Sequence, residues 1–177
     1  MKTAICTFCA QTGMYCKDCQ TKINNGEVTQ TEIKIAKIAA EFEKTYPNSS
    51  KVNILKTIEK PGFVLLLVTP GDLRFLTGGS LDFNRRLERT LKKPVKIMEK
   101  TKNKRKIIDE IFHPALIKGF NTVFVPVRNP EPGKSSVEEE MIVVLSPEEK
   151  DKLPGTLEEL KELVKLLTDE EVRVEFR

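Results

Sequence analysis

The sequence predicts a mixed α+β protein: two small units of one element order, α-β-β-α-α-β, behind a short cysteine-rich module. Three observations predict this. All four cysteines of the 177 residues fall in one pattern, Cys6-x2-Cys9-x6-Cys16-x2-Cys19. After residue 29, helical and strand-like patterns follow each other twice in the same order. Two stretches about 76–77 residues apart, VLLLVTPGDLRFLTGGSL and MIVVLSPEEKDKLPGTL, share a plan. Each has an apolar strand, then Ser/Thr-Pro-x-Asp/Glu, then Gly-Ser/Thr-Leu. The expected domains are residues 1–28, 29–100 and 101–177.

The cysteine pattern predicts a closed metal site. Two C-x-x-C knuckles supply four thiolates, the tetrahedral set that Zn²⁺ takes in structural sites, on Cys6, Cys9, Cys16 and Cys19. Gly13 lets the chain reverse between the knuckles. Some twenty residues bury too little apolar surface to fold alone, and metal binding supplies what is missing. Iron uses the same four thiolates, and the spacing does not separate the two metals. Two disulfides fit a reducing compartment poorly, and a redox C-x-x-C lacks its βαβ context. The single histidine, His113, precedes Pro114 and reads as a turn or packing residue rather than a ligand.

The first unit opens with a T-x-x-E capping box, Thr29 and Glu32, which starts a helix over 30–45. Ile35, Ile38, Ala39 and Phe42 make its apolar stripe. YPNSS ends it. VNILKTI and FVLLLV, joined by the turn residues of EKPG, read as strands. A short helix near 71–76, a glycine turn and a helix over 81–92 follow, and the strand PVKIM (94–98) closes the unit. The second unit repeats the order: a helix over 102–112, strands over 121–127 and 139–145, a short helix near 147–152, a helix over 157–167 and the strand VRVEF. Thr69 and Ser146 are expected as N-caps, with Pro70 and Pro147 in the first helical position. Asp72 and Glu149 are expected to complete capping boxes or favour the helix N-terminus, and Ser80 and Thr156 to cap the helices that follow.

Charge is unevenly spread. Residues 85–106 hold eleven basic residues against Glu88 and Glu99, whereas residues 131–177 hold fourteen acidic and seven basic. The basic stretch points to an anionic partner; solvated helix faces are the plainer account. No apolar run reaches the ~18 residues of a membrane span, and no signal-peptide h-region follows Met1, so the expected setting is cytoplasmic, without a membrane partner. One histidine, no P-loop, no nucleophile–base pair and a closed metal set argue against an enzyme.

The order α-β-β-α-α-β with a helix–glycine turn–helix centre resembles a type II KH domain, and the pair resembles the tandem KH region of archaeal NusA-like proteins. PGDLRFLTGGSLDFNRRLERTLKKPVKIMEK and IIDEIFHPALIKGFN carry the resemblance by motif. It implies a factor of transcription elongation or termination that binds single-stranded RNA, with the four-cysteine zinc module as an accessory part. In KH domains a G-x-x-G loop brings backbone amides close to the sugar-phosphate chain. Here the corresponding residues are Gly78-Gly79-Ser80-Leu81 and Pro154-Gly155-Thr156-Leu157, with Leu in place of the second glycine in both units.

The first unit is therefore the expected RNA-binding one. Gly78, Gly79 and Ser80 offer amides and a hydroxyl; Arg74, Arg85, Arg86, Arg89, Lys92, Lys93 and Lys96 offer charge. Arg85 and Arg89, four apart, share a helix face. Phe75 and Phe83 stand near enough to stack on bases or to fill the core. The alternative is a protein-docking module that keeps the fold and binds RNA polymerase or the ribosome with little RNA contact.

Overall fold

The computed structural model describes residues 1–77, 81–126 and 137–177. The protein is mixed α+β, with two three-stranded sheets and a cysteine cluster near the N-terminus. It divides into two compact units, Met1–Lys100 and Thr101–Arg177.

The first unit runs α1 (Thr7–Thr12), α2 (Lys17–Asn24), α3 (Gln30–Thr45), a 3-10 helix (Pro47–Lys51), β1 (Ile54–Glu59), β2 (Val64–Val68), α4 (Leu73–Thr77), α5 (Leu81–Leu91) and β3 (Val95–Glu99). β2 is central, antiparallel to β1 and parallel to β3. The predicted capping box is present: Thr29 accepts the Glu32 N–H, and Glu32 accepts the Thr29 N–H.

Helix α3 has two buried faces. Ile35, Ile38, Ala39 and Phe42 meet Val64, Leu66 and Val68 of β2 and Phe83 and Leu87 of α5. Ile33, Ala36 and Ala40, on the other side, pack with Ile5, Cys9, Cys19 and Val28. Alanines at 36 and 40 keep this second face shallow, so the short helix α1 lies close against it, and Cys19 of α2 joins the same cluster. The N-terminal residues also join the sheet. Met1 sits in the sheet core, and Lys2 bridges Asn53 in parallel.

The second unit runs α6 (Lys104–Phe112), β4 (Ile117–Pro126), β5 (Val137–Leu145), a 3-10 helix (Pro147–Lys152), α7 (Leu157–Thr168) and β6 (Val172–Phe176). β5 is central, antiparallel to β4 and parallel to β6. β4 begins four residues earlier than the sequence predicts, because Ile117 already pairs with Leu145. Thr156 and Glu159 form a capping box at α7. His113 is the C-cap of α6 and precedes a cis peptide to Pro114.

The two sheets share irregularities as well as order. β1 shifts register between Ile54 and Lys56, and β4 between Ile117 and Gly119, each just after its first paired residue. Past the last parallel strand, the Lys100 N–H donates to the Val68 carbonyl at 2.9 Å and the Arg177 N–H to the Leu145 carbonyl at 2.8 Å.

Ser146 is the expected N-cap, with Pro147 opening the helix, whereas Thr69 caps no helix. Helix α4 starts only at Leu73, because Gly71, at φ +87°, inserts a turn after Pro70. The Thr69 hydroxyl is thereby left buried without a hydrogen bond. Glu99 Oε1 takes over the capping, accepting the N–H groups of Gly71 at 2.8 Å and Leu73 at 3.3 Å. Ser146 does precede its helix, but its side chain makes no capping bond.

Candidate functional site

The four cysteines are built as two copies of one local geometry. Cys6 and Cys16 are the N-caps of α1 and α2, with φ/ψ of −69°/154° and −69°/165°. Cys9 and Cys19 follow three residues later, in the first turns. Gly13, the C-cap of α1 at φ +74°, reverses the chain between them, a conformation open to glycine at little cost. All four are free thiols whose sulfurs lie within 4.8 Å of one another. A tetrahedral Zn–S set needs sulfurs about 3.8 Å apart for bonds of about 2.3 Å. The Cys6 and Cys9 sulfurs are 3.3 Å apart. The four sulfurs thus lie close enough together to hold one metal ion.

Backbone amides face the cluster. The Cys16 N–H donates to Cys9 Sγ at 3.1 Å, and the Cys6 N–H to Cys19 Sγ at 3.5 Å. The N–H of Cys9, with the other thiols, draws the Cys6 thiol down to about 7. For Cys9, the Cys16 N–H works in the same direction, but burial and the neighbouring thiols together push it up to about 12. Cys19 is also raised: the Cys6 N–H opposes, and burial with the Cys16 thiol prevails. Four thiols so close cannot all ionise without a cation among them. Cys9 and Cys19 are buried and Cys6 and Cys16 exposed, so the cluster sits at the rim of the module. The second face of α3 that seats it was readable in EIKIAKIAAEF as apolar residues at 33, 36 and 40.

The basic residues of the first unit divide into those turned outward and those already engaged. On α5, Phe83 and Leu87 are buried, and Arg85 and Arg89 project from the opposite side, both exposed. Arg74 and Lys92 are exposed too. Arg86 is half-buried, its guanidinium 5.8 Å from the Phe42 ring centroid. Lys93, between α5 and β3, is engaged at the end of β1, donating to Glu59 Oε1 at 2.7 Å and to the Lys60 carbonyl at 3.3 Å. That ammonium, with the Thr31 hydroxyl, holds the Glu59 carboxyl below the ordinary range. Lys96 lies half-buried on β3. Gly78, Gly79 and Ser80 lie outside the described residues. Of the two aromatics, Phe83 is core and Phe75 is half-exposed. Among the described residues, no helix is long and apolar enough to cross a membrane.

No protein-family model matches this chain. No curated protein matches it either. Among solved structures, one described as "Crystal structure of APE1850" is similar over 76% of this chain and 96% of that one, at 15% sequence identity and a TM-score of 0.45.

Proposed function

We propose that this chain is a single-stranded-RNA-binding factor of transcription elongation or termination, made of two type II KH-like units and steadied by one structural zinc ion on Cys6, Cys9, Cys16 and Cys19. The observation that carries it is the outward pair Arg85 and Arg89 on α5, directly opposite the buried Phe83 and Leu87. Two exposed guanidiniums one helical turn apart can each meet a phosphate of one strand. The element order of each unit, closing on a strand parallel to the central one, supports the KH-like reading. The zinc supplies a closed four-thiolate centre with no open position, so its part is structural.

The test is RNA binding by fluorescence anisotropy with short oligouridylates at several salt concentrations. Arg85→Glu/Arg89→Glu is expected to weaken binding at least about tenfold and to flatten the salt dependence. Arg86 is left intact, because its packing on Phe42 would confuse a folding defect with a binding defect. Unchanged affinity in the double variant removes α5 from the interface.

A second reading has its own support. Residues 131–177 of the second unit hold fourteen acidic residues against seven basic, and Leu116 and Phe124 stand 69% and 66% exposed on that unit. Apolar side chains within an acidic surround suit a protein partner, such as RNA polymerase or the ribosome, better than a nucleic acid. Failure of the whole chain to bind any RNA at low salt selects this reading.

A further inference from the structure

A cavity of about 280 Å³ opens where the end of α3 and its 3-10 helix meet α4, lined by Thr45, Tyr46, Pro47, Asn48, Arg74 and Phe75. That is near the ~300 Å³ lower end of small-ligand clefts. Phe75 is the centre of its chemistry. The Arg74 guanidinium stands 4.8 Å from the ring centroid, and Lys51 Nζ 5.5 Å. Both cations belong to exposed side chains.

Each cation gains from the ring's negative face. The two also repel each other, being gathered on one ring, and an anion drawn to them relieves that repulsion. The aromatic side is held in place from beneath. Tyr46 and Phe75 both pack on the sheet core, and the Tyr46 ring lies 4.5 Å from that of Phe42. The site therefore offers two anchored rings with two cations over one of them, both on exposed side chains, so a base stacks on Phe75 as they swing from the ring to its phosphate. A carboxylate ligand would use the charges and leave the rings idle; an apolar ligand would do the reverse. A nucleotide uses both, stacking its base and placing its phosphate by the cations.

We propose that this cavity holds one nucleotide of the bound RNA strand, its base against Tyr46 and Phe75 and its phosphate on Lys51 and Arg74. The inference rests on the RNA-binding reading above and adds a second contact point on the first unit, distinct from the Arg85–Arg89 face.

The experiment uses the full chain and 5-bromouridine-substituted oligouridylate. Photocrosslinks mapped by mass spectrometry are expected on Tyr46 or Phe75. Lys51→Ala/Arg74→Ala, at two exposed positions, is expected to keep the native circular dichroism, to lose about tenfold in affinity and to lower the salt slope by about 0.7, the share of one phosphate on a single strand. Native affinity and slope in this variant, with binding lost in Arg85→Glu/Arg89→Glu, overturns the cavity proposal and leaves the RNA-binding reading standing. Absence of RNA binding by the unaltered protein overturns both. Uridine monophosphate that binds at these residues as tightly as the oligonucleotide makes this a mononucleotide site and overturns the strand contact.

Discussion

The backbone N–H of Asn53 donates to Asp72 Oδ2 at 2.8 Å, tying the residue before the first strand to the residue before α4. The second unit has the counterpart: the Leu116 N–H donates to Glu149 Oε2 at 2.9 Å. Asp72 and Glu149 thus hold equivalent positions and do equivalent work. Each satisfies an amide at the entry to a sheet edge, where the strand's register shift begins one residue later. Neither completes a capping box, but Glu149 lies in the first turn of its 3-10 helix, the other role expected of it.

Asp72→Ala leaves the Asn53 amide without its charged acceptor in a part-buried position. The expected loss is about 1.5–3 kcal/mol, the range for a hydrogen bond to a charged group. In a unit of this size each kcal/mol lowers Tm by about 4–8 °C. Thermal unfolding followed by circular dichroism reads it, and an unchanged Tm removes Asp72 from the strand's support.

Glu149 predicts an acid limb. The Lys152 ammonium first, and then the Leu116 N–H, hold its carboxyl below the ordinary value of 4.5, against the opposing effect of burial. A folded-state value below the unfolded one means the native state favours the ionised form. The stability this contributes is present above about pH 4.5 and is lost as pH falls through the folded value. Glu149→Gln is expected to lower the urea midpoint at pH 7 and to flatten its decline between roughly pH 5 and 3. Parallel pH profiles for the two proteins would contradict this.

Metal content gives the third prediction. One zinc per chain is expected by elemental analysis, and Cys9→Ser, at the buried thiol that accepts the Cys16 amide, is expected to abolish it. Chelation is expected to loosen α1 and α2 from α3, seen as faster amide exchange at Ile33, Ala36 and Ala40, which share a core with Cys9 and Cys19. Exchange there that ignores chelation would show that apolar packing alone seats the module.

Lys93 gives the fourth. Its ammonium is engaged by Glu59 and the Lys60 carbonyl, so it has little charge to lend an RNA strand. Lys93→Met is expected to leave RNA affinity within about twofold and to cost under about 1 kcal/mol, as half-exposed ion pairs do. A tenfold loss of RNA affinity in this variant would return Lys93 to the interface.

Features encoded within one or two turns of chain were legible without coordinates. Helices α3 and α7 start where their Thr-x-x-Glu boxes place them, because both partners of a capping box lie on the same turn. The cysteines announce a metal set because each C-x-x-C fits one N-cap and first turn. The return of the same element order was legible as well, from two capped stretches of similar plan. What the coordinates decided concerns partners far apart in sequence. Asp72 reaches back 19 residues and Lys93 reaches back 34, so neither's role can be read from its neighbours. What covers the second apolar face of α3 is a module that folds over it from the N-terminus. Which arginines of α5 meet solvent depends on where Phe42 and the sheet lie. Local chemistry sets where an element begins and ends; only packing, which joins distant segments and removes them from water together, sets which side chains remain free to meet a ligand.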